Sequence, residues 1–164
     1  MTHARPILQN EVEAACISGV ASAPSGAIAD DVVDGAAEAA RWFVEKGVGL
    51  VVVTLGPHGA LAVDKEGKLH RERGHVVPAA AARDATGAGD SFIAGFLFSW
   101  LSGSDNNGSG NSNRTGSKSN RTRAALRWGC ACGTNNVQRD GAAQTIEVAT
   151  LASTGLGESV PARL

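Results

Sequence analysis

Apolar and polar positions follow one another along this chain in blocks with two different periods. Pro6, Ile7 and Leu8 read as the end of a buried strand, closed by the polar pair Gln9-Asn10. Asn10 then serves as the N-cap of a short helix through Ser18, with Glu13 at the third helical position completing a capping box. Gly19 stops that helix. After a loop of small residues at 20–27, Val33, Ala36, Ala37, Ala40, Phe43 and Val44 keep the helical period over residues 28–46. Asp30, Asp31 and Asp34 suit the positive end of that helix's dipole, and Lys46-Gly47 end it. Residues 49–54 are a short apolar, β-branched run, the pattern of a strand buried on both faces. This helix–loop–strand rhythm predicts an α/β fold with a mostly parallel sheet.

Farther along, residues 60–63 and 68–70 flank a Lys65-Glu66-Gly67 turn and read as a hairpin. Residues 75–78 suggest another short strand. Residues 84–90, Asp-Ala-Thr-Gly-Ala-Gly-Asp, form a glycine-rich loop that runs into a helix over 91–100. That helix is apolar nearly all round and is expected to be buried. Ser, Gly and Asn then fill fifteen of the nineteen positions from 102 to 120, a composition expected of a flexible insertion. A last helix is predicted over 121–136 with Ala125, Leu126, Trp128, Ala131 and Cys132 facing inward.

Composition narrows the classes. The 164 residues suit one modest domain, and 43% hydrophobic with 19% charged residues excludes wholesale disorder. A net charge of −1 gives no electrostatic ground for a nucleic-acid partner. The apolar stretch 92–101 is too short to span a membrane. No signal-peptide pattern is seen, and three cysteines fit a reducing, cytoplasmic setting better than a disulfide scaffold. Asn107, Asn113 and Asn120 head glycosylation sequons, which an Asn/Ser/Thr-rich tract generates by chance, so a secreted glycoprotein is the weakest reading. Cys130 and Cys132 would project about 200° apart on one helix, which disfavours a metal pair. His3, His70 and His75 read as exposed, and His58 as a solvated turn residue.

The loop at 84–90 carries the chemistry. Its two glycines let the backbone approach a ligand, and the helix it opens offers free N–H groups and a dipole to an anion. Asp90 is out of place if the loop only binds an anion. It makes sense as a general base that deprotonates a hydroxyl beside a phosphoryl group held by those N–H donors. A dinucleotide fingerprint would need a glycine where Phe92 stands, and no Walker sequence occurs in the chain. On the loop alone, a glycine-rich helix start without any ligand stays open.

Residues 84–96, Asp-Ala-Thr-Gly-Ala-Gly-Asp-Ser-Phe-Ile-Ala-Gly-Phe, closely resemble the second signature of the PfkB/ribokinase family of carbohydrate kinases. Four further segments fall in that family's order. Residues 10–13 resemble its N-x-x-E motif and residues 54–59 its nucleotide-binding T-L-G-x-x-G turn. Residues 129–133 resemble the small-residue helix beside its adenine pocket, and residues 137–142 its V-T-R-x-G-A segment. The resemblance implies a ribokinase-like, partial three-layer α/β/α domain. The implied activity is ATP-dependent phosphorylation of a hydroxyl on a small sugar, with Asp90 as base.

By the same resemblance Gly87, Ala88 and Gly89 form the anion hole. Asn10 and Glu13 help place Mg²⁺ and phosphate, Thr54, Gly56 and Gly59 line the nucleotide, and Cys130 joins the cofactor contacts. A monovalent cation, K⁺, would be held by Asp84, Thr86, the carbonyls of Asn136, Arg139 and Gly141, and the Thr145 hydroxyl; an all-oxygen set suits a hard ion. A small-molecule sugar and ATP are the expected partners, no nucleic acid or membrane is, and a homodimer stays open. Several positions depart from the pattern: Ala85 replaces the usual Thr, Cys130 stands where Asn or a small residue is common, and Asn135-Asn136 are more polar than relatives show. The family's N-terminal half, with most sugar contacts and the lid, has no counterpart here. The chain therefore reads as the nucleotide-binding, catalytic C-terminal part of the domain. Two alternatives follow: a catalytically inactive nucleotide-binding fragment, and a nucleoside kinase of the same fold.

Overall fold

The computed structural model describes residues 6–21, 29–102 and 118–141. The chain divides into two compact units, Met1–Gly74 and His75–Leu164. The first begins with β1 (Pro6–Asn10), α1 (Glu11–Ser18) and α2 (Ala29–Glu45). It continues with β2 (Leu50–Thr54), a 3₁₀ turn (Gly56–His58), β3 (Ala60–Asp64) and β4 (Leu69–Glu72). The sheet order is β1-β2-β3-β4. β1 runs parallel to β2, with Leu8 opposite Val52, whereas β2–β3 and β3–β4 are antiparallel. Among the described strands the sheet is thus mixed, and the expected parallel majority is corrected. The reason is the short connections after β2 and β3, residues 55–59 and 65–68, which return the chain beside the strand it has just left and are too short for a parallel crossover.

The predicted periods hold in both helices and strands. Val33, Ala36, Ala37, Ala40 and Phe43 of α2 pack with Ala14 of α1 against Val51, Val53, Leu61 and Val63. The alternate residues Leu50, Val52, Ala60 and Ala62 are buried on the opposite sheet face. Each buried Val or Leu contributes about 1.5–3 kcal/mol, so this unit's stability is concentrated in β2 and β3. β1 differs from expectation: Ile7 is 38% exposed while Gln9 is buried. β1 is the terminal strand of the described sheet, so only one neighbour shields it.

His70 is a second correction. It pairs with Ala62 across the hairpin and is 1% exposed, not solvated. Its Nε2 lies 3.0 Å from Asp64 Oδ2, while Asp64 Oδ1 accepts from the Glu66 and Lys68 N–H groups at 3.1 and 2.9 Å. Burial pushes the Asp64 carboxyl up, but the bonds from His70, Lys68 and Glu66 outweigh that and hold it below its ordinary value.

The second unit is built on α3 (Ala88–Ser102) and α4 (Lys118–Val137). Residues 75–78 form no strand. α3 starts three residues earlier than predicted, which puts Asp90 in its first turn. Its burial is one-sided: Phe92, Gly95, Phe96 and Ser99 are buried, while Leu101 is 75% exposed. Glycines set the close approach of the two helices. A Cβ on Gly129 would meet the Phe92 ring at 2.7 Å, and one on Gly95 would meet Cys132 Sγ at 2.6 Å. Phe92, Phe96 and Trp100 stack along α3, and Phe98 tilts against Trp128. Arg121 closes the far end, its guanidinium 4.6 Å from the Trp100 ring and donating to the Trp100 carbonyl. Ser102 and residues 118–120 belong to helices rather than to the expected insertion; residues 103–117, with Asn107 and Asn113, lie outside the described residues. Asn120 sits in the first turn of α4. No described helix is long and apolar enough to cross a membrane.

Candidate functional site

The first unit presents two of the candidate segments. At the β1–α1 junction Asn10 is extended, with φ −88° and ψ 170°. Its Oδ1 accepts from the Glu13 N–H at 2.8 Å, and Glu13 Oε2 accepts from the Asn10 N–H at 3.0 Å. This is the expected capping box, and both side chains are exposed. The Asn10–Glu13 pair therefore starts α1 while keeping a carboxylate at the surface beside a helix N-terminus.

Thr54 ends β2, and the 3₁₀ turn follows with the Leu55 N–H donating to the Gly59 carbonyl at 2.8 Å. The two glycines of this turn differ. Gly56, at φ +53°, is exposed, and a Cβ there would meet nothing within 4 Å. Gly59, at φ +96°, is buried, and a Cβ would fall 2.2 Å from the Glu72 carbonyl oxygen. Gly56 is open to a ligand, whereas Gly59 is demanded by its packing against the end of β4.

The second unit holds the loop before α3. Asp84 Oδ1 accepts from the Thr86 N–H at 2.8 Å. Hydrogen bonds from the Thr86 side chain and backbone, joined by the Gly141 N–H, hold the Asp84 carboxyl below its ordinary value against a desolvation cost. Gly87 takes φ +78°, which turns the chain into α3. The Ala88 N–H is used internally, donating to the Ala85 carbonyl at 3.1 Å, and the Ser91 N–H donates to Gly87 at 2.9 Å. The Gly89 and Asp90 N–H groups of the first turn are left without a backbone acceptor among the described residues. Gly89 is exposed and a Cβ there would meet nothing, and Asp90 is exposed beside it. An open helix start with an accessible carboxylate can hold an anion and take a proton within one turn.

The end of α4 is fastened to this loop. The Val137 carbonyl accepts from the Arg83 and Asp84 N–H groups at 2.9 and 3.3 Å. Asn136 Nδ2 donates to the Thr86 carbonyl at 2.8 Å, and Ser91 Oγ donates to Asn136 Oδ1 at 3.1 Å. Arg83 meets Asp140 at 3.4 Å. Asp84, Thr86, Asn136 and Gly141, four of the residues implied for a cation, are thereby linked. The Asn136 carbonyl accepts from Arg139 at 3.0 Å. Thr145 lies outside the described residues. Cys130 is buried on α4, and burial pushes the Cys132 thiol up to about 11. No cluster of three His, Cys, Asp or Glu side chains suited to a metal occurs among the described residues. The Asn136 side chain was missed as a loop contact; the unusual polarity of Asn135-Asn136 was its signal.

Residues 1–149 match the pfkB family of carbohydrate kinases. Fructoselysine 6-kinase of Escherichia coli (strain K12) is 43% identical over 63 residues, which is 38% of this chain and 23% of that protein. Ribokinase of Haemophilus influenzae is 37% identical over 95 residues, 58% of this chain and 27% of that protein. The chain therefore spans about a quarter of the curated relatives it matches. Among solved structures, fructokinase from Vibrio cholerae O395, holding fructose, ADP and calcium ion, covers 91% of this chain at TM-score 0.66 and 23% identity. The match takes in 40% of that protein, and a double mutant of it holds potassium ion instead. At this identity the likeness shows a ribokinase-like fold. The family match covers most of the chain, and the chain belongs to the pfkB family of carbohydrate kinases.

Proposed function

We propose that the chain is the nucleotide-binding and catalytic part of an ATP-dependent sugar kinase. The observation that carries this reading is the helix start at 87–90. There, exposed Asp90 stands beside N–H groups that have no backbone acceptor among the described residues. Those amides and the α3 dipole stabilise the negative charge of the phosphoryl group in transfer. Asp90 takes the proton from the attacking sugar hydroxyl. In the first unit, Thr54 and Gly56 contact the nucleotide, Gly59 shapes their turn, and Glu13 with Asn10 assists Mg²⁺, which supplies charge neutralisation at the phosphates.

The donor chemistry on the loop fits a monovalent cation. The Asp84 carboxyl is held below its ordinary value by bonds from Thr86 and Gly141, and Asn136 is tied to Thr86. The potassium ion in the fructokinase double mutant favours the same assignment. These residues would hold K⁺ and fix the carbonyls behind the anion loop.

The test is Asp90→Asn, an exposed, nearly isosteric change. The expected result is a kcat about 10²- to 10⁴-fold lower in sugar phosphorylation, with the melting temperature unchanged. Wild-type kcat would overturn the reading. The coverage of a quarter of the curated relatives favours one second reading, nucleotide binding without turnover. Its mark is a Mg-ATP-induced rise in melting temperature in a chain that phosphorylates neither sugars nor nucleosides.

A further inference from the structure

We infer that the Asn136 carboxamide is a positioning residue for phosphoryl transfer, clamping both ends of the anion loop through the Thr86 carbonyl and the Ser91 hydroxyl. The inference rests on the reading of residues 87–90 as the phosphoryl-transfer site. Asn136 is 2% exposed, and both ends of its side chain are used. The atom 2.8 Å from the Thr86 carbonyl must be the amide nitrogen, since a carbonyl only accepts. That orientation leaves Oδ1 to accept from Ser91 Oγ at 3.1 Å. Thr86 immediately precedes the left-handed Gly87, and Ser91 immediately follows Asp90. The two bonds bracket residues 87–90, which carry the open Gly89 and Asp90 amides and the Asp90 carboxylate that have to face the reacting groups.

Packing of α3 on α4 does not call for this side chain. Close approach is already set by Gly95 against Cys132 and by Gly129 against Phe92. A buried amide with one donor and one acceptor contact fixes the loop's position, where an apolar residue of similar size would fill the space and leave the loop unheld. Asp84 and its partners fasten the loop before Thr86. Among the described residues, Asn136 alone ties its start to its helical end through a single group.

The experiment uses the full chain with Asn136→Ala, Asn136→Asp and Ser91→Ala, and two readouts. Amide hydrogen exchange, with no ligand present, is followed at residues 84–91 and in β2 and β3. Steady-state kinetics give kcat and the KM for ATP. In Asn136→Ala, exchange at 84–91 should rise about tenfold or more, with β2 and β3 unchanged. Its kcat should fall about 10- to 100-fold with KM for ATP held within about twofold, as loss of positioning predicts. Asn136→Asp, which keeps the acceptor for Ser91 but sets a carboxylate against the Thr86 carbonyl, should loosen the loop at least as much as Asn136→Ala, and Ser91→Ala, which removes one arm, should fall between wild type and Asn136→Ala. Unchanged loop exchange, or wild-type kcat despite faster exchange, overturns the inference. If Asn136→Ala does not fold, Ser91→Ala at its half-buried position decides by the same two readouts. A wild-type chain with no phosphotransfer overturns the reading of function instead, and loop exchange then decides whether Asn136 is a clamp.

Discussion

The β1–α1 junction and the loop before α3 are both helix starts with an acidic residue in the first turn, yet they are held in different ways. Asn10 and Glu13 satisfy each other across three residues. The loop at 84–91 has its own local bonds, from the Thr86 N–H and side chain to Asp84. Its distant fastenings come from α4 and the residues just after it: Ser91 to Asn136 across 45 residues, Thr86 to Asn136 across 50, and the adjoining Arg83 to Asp140 across 57. The first device forms wherever the helix forms. The second exists only when α3 and α4 are packed, so the proposed transfer chemistry is tied to folding of that unit and the capping box is not.

The sharpest way to break this contrast is to disturb the loop from a distance. Gly129→Ala would drive a Cβ to between 2.7 and 2.9 Å of three atoms of the Phe92 ring. Phe92 lies in the same turn of α3 as Asp90 and Ser91. The expected cost is about 1–3 kcal/mol in urea unfolding, with faster amide exchange at 84–91. A variant that unfolds at the wild-type urea midpoint would show that the helix contact is softer than its spacing implies.

Asp64 is an intermediate case, serving a local turn and a buried neighbour at once. Its carboxyl sits below its ordinary value, so the folded state binds protons less readily than the unfolded chain does. The stability this contributes is present above the unfolded value, about 3.8, and is lost as pH falls through the lower folded value. Asp64→Asn should cost about 1–2 kcal/mol near neutral pH by weakening the turn and leaving His70 less well paired. It should also flatten the loss of stability on acidification below that range. An acid limb as steep as wild type in pH-dependent unfolding would assign the acid sensitivity to other carboxylates.

This gradient from local to distant also explains what could be read from the sequence. The cap at Asn10, the stop at Gly19, the period of α2, and the turn at 65–67 depend on neighbours within a few residues, and each was visible in the string of residues. The glycine-rich loop was visible for the same reason. Antiparallel pairing of β2 with β3, burial of His70 opposite Ala62, and the one-sided exposure of α3 depend on which element lies alongside, which no local pattern encodes. Gly59 makes the point within a single motif. The sequence marked it as a ligand position beside Gly56, but its buried Cα faces Glu72 and Gly74, thirteen and fifteen residues on. Asn136 was noticed as unusually polar, and only the packed helices show that its side chain reaches Thr86 and Ser91.

The smallest effects belong to the capping box, and they separate its two roles. Asn10→Ala removes the acceptor for the Glu13 N–H and should cost about 1 kcal/mol. Glu13→Gln retains a side-chain oxygen for the Asn10 N–H, so α1 keeps its reciprocal cap and loses only the dipole term of the carboxylate, a few tenths of a kcal/mol at an exposed site. If Glu13 serves Mg²⁺ and phosphate as proposed, the same variant should weaken the Mg-ATP dependence of turnover several-fold while thermal unfolding hardly moves. The amide can preserve the helix but cannot replace an anion. Equal Mg-ATP dependence in wild type and Glu13→Gln would reduce Glu13 to a helix cap, and the local device would then be purely structural, in contrast to the loop held by α4.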